Sequence, residues 1–220
     1  MTDHADTEVA EQETGEVPAL DPELLERRDA ALAHVVKFGN PVLKSRASEV
    51  VEFGDSLRGD VERMLHVMHD GMGVGLAATQ LGILRRVLVF QAGSESLPSA
   101  LVNPEIAWLS EELAVAEEGC LSIPRISVDV ERPLHARVDG LDLEGEPVSL
   151  EASGLEARVL QHEIDHLDGI LILDRTVREQ RREALRALRE GGSYSPATEL
   201  EPAEGEGDAE PDASATPAEA

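Results

Sequence analysis

Residues 153–169 read Ser-Gly-Leu-Glu-Ala-Arg-Val-Leu-Gln-His-Glu-Ile-Asp-His-Leu-Asp-Gly. Leu155 and Val159 fall on one helical face with His162 and His166, while Leu160, Ile164 and Leu167 fall on another. A helix that is apolar most of the way round must be covered on most sides, so a central, buried helix is predicted over Gly154–Leu167. Ser153 and Glu156 have the spacing of a capping box, and Gly169 supplies the stop. His162-Glu163-Ile164-Asp165-His166 is an HExxH. At i, i+4 two imidazoles share a face, roughly 5–6 Å apart at Cβ, and both can reach one ion. Glu163 beside them can take a proton from a water. On a polar surface helix an HExxH commonly means nothing. On a buried one, two imidazoles and a carboxylate are costly unless paired or metal-bound, which favours the metal reading.

The third ligand is open at this level. The HExxHxxGxxH extension fails, because Gly169 is present but Ile172 stands at the third-histidine position. A later helix offers Glu179, Glu183 and Glu190. Upstream, Glu117-Glu118-Gly119-Cys120-Leu121-Ser122 offers Cys120, whose thiolate would complete a catalytic set for zinc or ferrous iron. The bland alternative is a lone core cysteine. A third segment, Gly73-Val74-Gly75-Leu76-Ala77-Ala78-Thr79-Gln80, has two glycines that permit close backbone approach. It lacks the lysine of a phosphate-binding loop.

Further upstream, Leu57, Val61, Met64, Leu65 and Met68 line one face of a helix, with Asp55 or Ser56 as its N-cap and Gly71 as its stop. Strands are predicted over Arg85–Gln91, Ala100–Leu109, Leu113–Glu118, Ser127–Glu131 and Leu134–Leu143. A turn at Glu144-Gly145 leads into Pro147–Ala152. Ile123–Ser127 is assigned to a loop, and a charged helix is predicted over Asp174–Glu190. The class is α+β: short antiparallel sheets packed around the central buried HExxH helix, with a C-terminal helix.

Composition bounds the rest. The chain has 220 residues and a net charge of −26. Residues 1–32 hold ten acids against two arginines, and residues 191–220 hold eight acids and no base. Both are predicted to be mostly disordered, apart from a short helix around Pro22–Leu32, because they hold too little apolar surface to offset ordering entropy. The folded unit is therefore set at residues 33–190. It is acidic itself, which argues against DNA as a partner. The single cysteine, Cys120, cannot form an internal disulfide. The acidic N-terminus is unlike a signal peptide, and no apolar run is long enough to span a membrane, so the expected location is the cytoplasm. His66 and His69 read as solvated or groove-lining, and Trp108 as a packing residue.

Taken together, GVGLAATQ, EGCLS and QHEIDHLDG resemble the peptide deformylase family, in its three signature motifs and in their order, over about residues 33–175. The resemblance implies that Cys120, His162 and His166 bind one divalent metal, commonly Fe2+, with Zn2+ or Ni2+ able to occupy the site. It implies that Glu163 is the acid/base and that Gln80 and the Leu121 N–H hold the oxyanion. Val74–Gly75 and Glu118–Gly119 would line the substrate as extended strands. The substrate would be the formylmethionine end of a new bacterial polypeptide, with Leu155 and Val159 as candidates for the methionine pocket. Arg158 departs from the apolar residue found there in many members; its stem is expected in the pocket and its head in water. Residues 175–190 form the only basic segment, with Val177, Leu185 and Leu188 as a thin apolar stripe. Ribosomal RNA is the partner this suggests, against the plainer reading of a solvated helix.

Overall fold

The computed structural model describes residues 21–92 and 96–196. The two terminal stretches in which the sequence predicts disorder therefore lie largely outside the described residues. Helix α1, Pro22–Leu32, forms as expected, with Asp21 capping it by accepting from the Glu23 N–H. Helix α2 is Asp55–Asp70. Strands β1 (Gly75–Ala77), β2 (Val87–Phe90) and β3 (Ser99–Leu109) follow. Then come β4 (Leu113–Cys120), β5 (Ile123–Pro133), β6 (His135–Leu141) and β7 (Pro147–Ser153). Helix α3 is Leu155–Leu167, α4 is Ile172–Arg175, and α5 is Arg178–Glu190.

All strand pairings are antiparallel. One sheet has the order β1-β2-β3-β6-β7, and β4-β5 form a separate hairpin. The class is α+β. Strand β2 reads Val-Leu-Val-Phe because it is covered on both faces. Val87 and Val89 pack with Leu57, Val61, Met64 and Met68 of α2. Leu88 and Phe90 pack with Ala157, Leu160, Ile164 and Leu167 of α3. Strand β3 tolerates Pro104 because its pairing with β6 slips between Val102 and Glu105. Asn103 at that slip has φ 50°, and its side chain bonds both the N–H and C=O of Val50.

Helix α3 thus has one side on the sheet and another toward the hairpin. The hairpin has its own core, in which Ile123, Ile126, Val128 and Val130 pack with Leu171–Leu173 and Ala184. Ile123–Ser127, read as a loop, is the start of β5.

Several local expectations fail for identifiable reasons. Helix α2 is capped by Gly54, not by Asp55 or Ser56. The capping box of α3 does not form: Gly154 is the N-cap, without a side-chain bond, and the Ser153 hydroxyl pairs with His135 Nδ1 on the neighbouring strand. The helix predicted over Asp174–Glu190 is two helices, broken where Thr176 and Val177 take extended backbone angles. Val177 is 59% exposed and Trp108 52% exposed, so neither packs as expected. At α5 the apolar stripe consists of Ala184, Leu185 and Leu188.

Candidate metal centre

Two elements bring the donors together. β4 ends on Cys120, where its pairing with β5 changes register between Gly119 and Cys120. α3 presents His162 and His166 one turn apart, with ring centroids 4.9 Å apart in an edge-on arrangement. The thiolate sulfur and one nitrogen from each ring lie within 4.8 Å of one another. Cys120 Sγ is 3.2 Å from His166 Nε2. Burial resists ionisation of the thiol, but His166 and His162 outweigh it and hold Cys120 well below the ordinary thiol range. A thiolate is the form that binds a metal.

The second ring nitrogen of His162 is fixed from behind. Its Nδ1 lies 3.0 Å from Glu118 Oε2, which leaves Nε2 for the cluster. This is the carboxylate–histidine arrangement that orients metal ligands. Burial works against charge on both members, yet it is outweighed: the bonds to Cys120 and then Glu118 push His162 up to about 10, and the bonds from His162 and Arg132 hold Glu118 down to about 2. Glu118 is held in turn by Arg132, through Nε at 2.6 Å and Nη2 at 2.9 Å, and by Arg158 at 2.6 Å. Arg132 also reaches Asp165 at 2.9 Å, and Asp165 is bound by Arg175 as well. Three charged groups of this network, Glu118, Arg132 and Asp165, are at most 6% exposed.

Some roles differ from those read in the sequence. The Glu118 side chain is turned onto His162 and the arginines, although the residue also lines the cavity described below. The head of Arg158 is turned onto protein acceptors, with the side chain only 13% exposed. It donates to Glu118 and to the carbonyls of Val130 and Ala114, because the hairpin lies against that side of α3 and offers acceptors. Arg175, part of the basic segment read over residues 175–190, is bound to Asp165 while its side chain stays 45% exposed. The sequence did not disclose the Glu118–Arg132–Asp165 network.

Glu163 is 4% exposed, and its Oε2 has no hydrogen-bond partner among the described residues. Burial pushes its carboxyl up, against the pull of His162 and His166. It packs directly on Gly75. A Cβ there would stand 2.9 Å from Glu163 Cδ and Cγ, and closer still to Oε1. Gly75 therefore serves close approach, not an unusual φ.

Gln80 is 2% exposed. Its Oε1 accepts from the Ala77 N–H at 2.8 Å, which aims Nε2 at Cys120 Sγ, 3.6 Å away, and Ser122 Oγ, 3.4 Å away. Ser122, fully buried, is a neighbour of the site that the sequence reading did not single out. Beside the cluster lies a cavity of about 400 Å³ lined by Val74, Gly75, Gly119, Leu121, Leu155 and Val159, among others. Val159 is 5% exposed and Leu155 56%, so the first is wall and the second is rim. Val74 is partly exposed, and its carbonyl accepts from Gln91 N–H at 2.8 Å.

The donor chemistry fits a divalent ion. One thiolate and two imidazoles leave a coordination position for reactant, and the buried, unpartnered carboxylate and the His166 Nδ1 mark polarity that apolar packing alone would not leave there. An α+β frame with this set beside a buried glutamate has the layout of a mononuclear metallohydrolase.

Comparison with known proteins narrows the class. Residues 32–182 match the family described as polypeptide deformylase. Peptide deformylase 1 of Corynebacterium glutamicum is 45% identical over 161 residues, which cover 72% of this chain and 95% of that one. Peptide deformylase of Thermotoga maritima is 48% identical over 138 residues, covering 63% and 83%. The crystal structure of a Synechococcus elongatus peptide deformylase in complex with actinonin superposes with a TM-score of 0.67 at 39% identity, covering 72% of this chain and 88% of that one. The Thermotoga maritima crystal structure gives 0.63 at 46%, covering 65% and 96%. The chain belongs to the polypeptide deformylase family.

Proposed function

We infer that this chain removes the formyl group from the N-terminal formylmethionine of newly made proteins and releases formate. The observation that carries this is the convergence of Cys120, His162 and His166 beside Glu163, in a chain of this family. Cys120, His162 and His166 would hold the ion, and Fe2+ is the identity favoured by the family resemblance, with Zn2+ or Ni2+ as alternatives. When bound, such an ion supplies Lewis acidity that makes a water nucleophilic at neutral pH.

The protein's own groups do the rest. Glu163 takes the proton from the attacking water and delivers it to the leaving amine, and its raised pKa suits a carboxyl that must both take up and release a proton. Gln80 Nε2 and the Leu121 N–H donate to the oxygen on which negative charge grows; losing one such donor typically lowers the rate by ~10²–10³. Val74–Gly75 and Glu118–Gly119 offer backbone along the two sides of the bound peptide. Val159, with Leu155 at the rim, receives the methionine side chain. A formyl carbon bears hydrogen where a peptide carbonyl bears Cα, so a narrow approach favours formyl groups over internal peptide bonds.

In this reading the HExxH helix is the central element around which sheet and hairpin assemble. Residues 33–190 are the catalytic unit, between acidic segments 1–32 and 191–220. We place its action in the bacterial cytoplasm. No helix among the described residues is long and apolar enough to cross a membrane. α5 carries Arg178, Arg181, Arg182, Arg186 and Arg189 against Glu179, Glu183 and Glu190. It is the proposed contact with ribosomal RNA, although Glu183 already pairs with Arg182 and Arg186. Co-sedimentation with ribosomes that weakens steeply with salt would support that contact. The function itself is tested by formate release from a formyl-Met peptide, with casein cleavage as control. Casein cleavage without formate release would sink it.

A further inference from the structure

The cavity is not uniform in charge. Its deep carboxylates have assigned work: Glu118 is saturated by Arg132, Arg158 and His162, and Glu163 abuts Gly75. Glu117 accepts from the Ser195 hydroxyl at 2.9 Å. Two arginines that also line the cavity have guanidinium groups with no ion-pair partner among the described residues: Arg28 from α1 and Arg125 from β5. The adjacent Arg27, by contrast, is paired with Asp70. Lys37 stands close enough to feel the charge of Arg28 and donates to the carbonyl of Leu121, part of the cavity wall, at 3.2 Å. In a chain of net charge −26, unpaired cations in the substrate cavity stand against the general trend.

Arg125 is also held there at a conformational penalty. Its φ is 64°, in the left-handed region that L side chains rarely adopt. The chain returning after α5 bonds this stretch on either side of Ile126. Tyr194 N–H donates to the Arg125 carbonyl at 3.0 Å, and Ser127 N–H donates to the Tyr194 carbonyl at 2.8 Å. The bend at Arg125 is therefore fixed by a contact 69 residues along the chain, in the bridge between Ile126 and Tyr194.

We propose that Arg28 and Arg125 are specificity residues that select a carboxylate in the substrate, carried by an Asp or Glu side chain shortly after the formylmethionine. A peptide with its formyl group at Cys120, His162 and His166 and its methionine against Val159 must pass its next residues out through the part of the cavity not occupied by these groups. Arg28 and Arg125, without an ion-pair partner among the described residues, line that same cavity. Arginine suits this task because its planar fork can take a carboxylate at two points. The proposal rests on the deformylase reading of the site.

The test compares formyl-Met-Ala-Glu-Ser with formyl-Met-Ala-Gln-Ser, and formyl-Met-Glu-Ser with formyl-Met-Gln-Ser, on the full-length metal-loaded enzyme at low and high salt. Exposed ion pairs are individually weak, so the expected preference in kcat/KM for the acidic peptide of at least one pair is roughly three- to tenfold at low salt. It should shrink toward one at high salt. In the Arg28→Gln, Arg125→Gln double variant the ratio should collapse to about one, and each single variant should lie between. Calorimetry with the corresponding unformylated peptides should show the same order of affinities without any turnover. Equal kcat/KM for both members of both pairs overturns the proposal, as does a preference that survives in the double variant. No formate from any of the four peptides would instead overturn the deformylase reading.

Discussion

The two sides of α3 obey different rules. Toward the sheet, Ala157, Leu160, Ile164 and Leu167 meet apolar side chains and form ordinary core. Toward the hairpin, Arg158, His162 and Asp165 meet Glu118, Arg132 and backbone carbonyls. The sheet side supplies stability through burial, which is non-directional and tolerates exchange of similar volumes. The hairpin side holds charges out of water, where each must keep its partner. Replacing a whole buried ion pair by apolar groups is often neutral, whereas removing one member is not. The network is thus better understood as the device that orients His162 and seats β4, with Cys120 at its end, than as a source of stability.

That contrast can be broken in a graded way. Arg132→Met removes the cation shared by Glu118 and Asp165, leaving the first to Arg158 and His162 and the second to Arg175, so it should lower unfolding stability by ~2–4 kcal/mol and weaken metal retention. Urea unfolding with metal analysis checks both, and a loss below ~1 kcal/mol would mean that the hairpin side is as forgiving as the sheet side. Gly75→Ala drives a methyl group into Glu163. Turnover should fall about 10²-fold, since a misplacement of ~1 Å suffices for that, while the metal stays bound. Near-normal kcat would show that Glu163 has room to move. On the sheet side, Ile164→Val, one residue from Glu163, should cost only ~0.5–1.5 kcal/mol and leave kcat close to unchanged. A large fall in kcat there would erase the distinction between the two sides. Smallest of all, Val177→Ser should change stability by no more than ~0.5 kcal/mol, because that side chain stands in solvent. A larger loss would restore the stripe expected from the sequence.

The same contrast explains what could be read from the residues alone. The sheet side of α3 and the apolar face of α2 follow helical periodicity, a local signal. Of Leu57, Val61, Met64, Leu65 and Met68, which share one face, all but the partly buried Leu65 are buried. The HExxH spacing and the three linked motifs single out Cys120, His162 and His166, and the fold brings these three within 4.8 Å of one another. The hairpin side was illegible because its partners are far apart in sequence: Glu118 and Arg132 by 14 residues, Arg132 and Asp165 by 33, Glu118 and Arg158 by 40. No periodicity encodes such pairings. Arg158 was assigned to water because a long cationic side chain ordinarily reaches it, and nothing local reveals that three acceptors lie closer. Ser153 failed as a cap for a related reason, since His135 on β6 competes for its hydroxyl. At Val177 the helical pattern continues through a break that only the backbone geometry discloses.

The central claim is that Cys120 is a metal ligand and Glu163 a proton carrier, two roles that different variants separate. The direct measurement is bound metal per chain together with formate release from a formyl-Met peptide, made on the parent protein, Cys120→Ala and Glu163→Gln. Cys120→Ala should lose metal and turnover together, and Glu163→Gln should retain about one metal equivalent and lose nearly all turnover. A Cys120→Ala protein that keeps a full equivalent of metal, or a Glu163→Gln protein that turns over normally, would contradict the account.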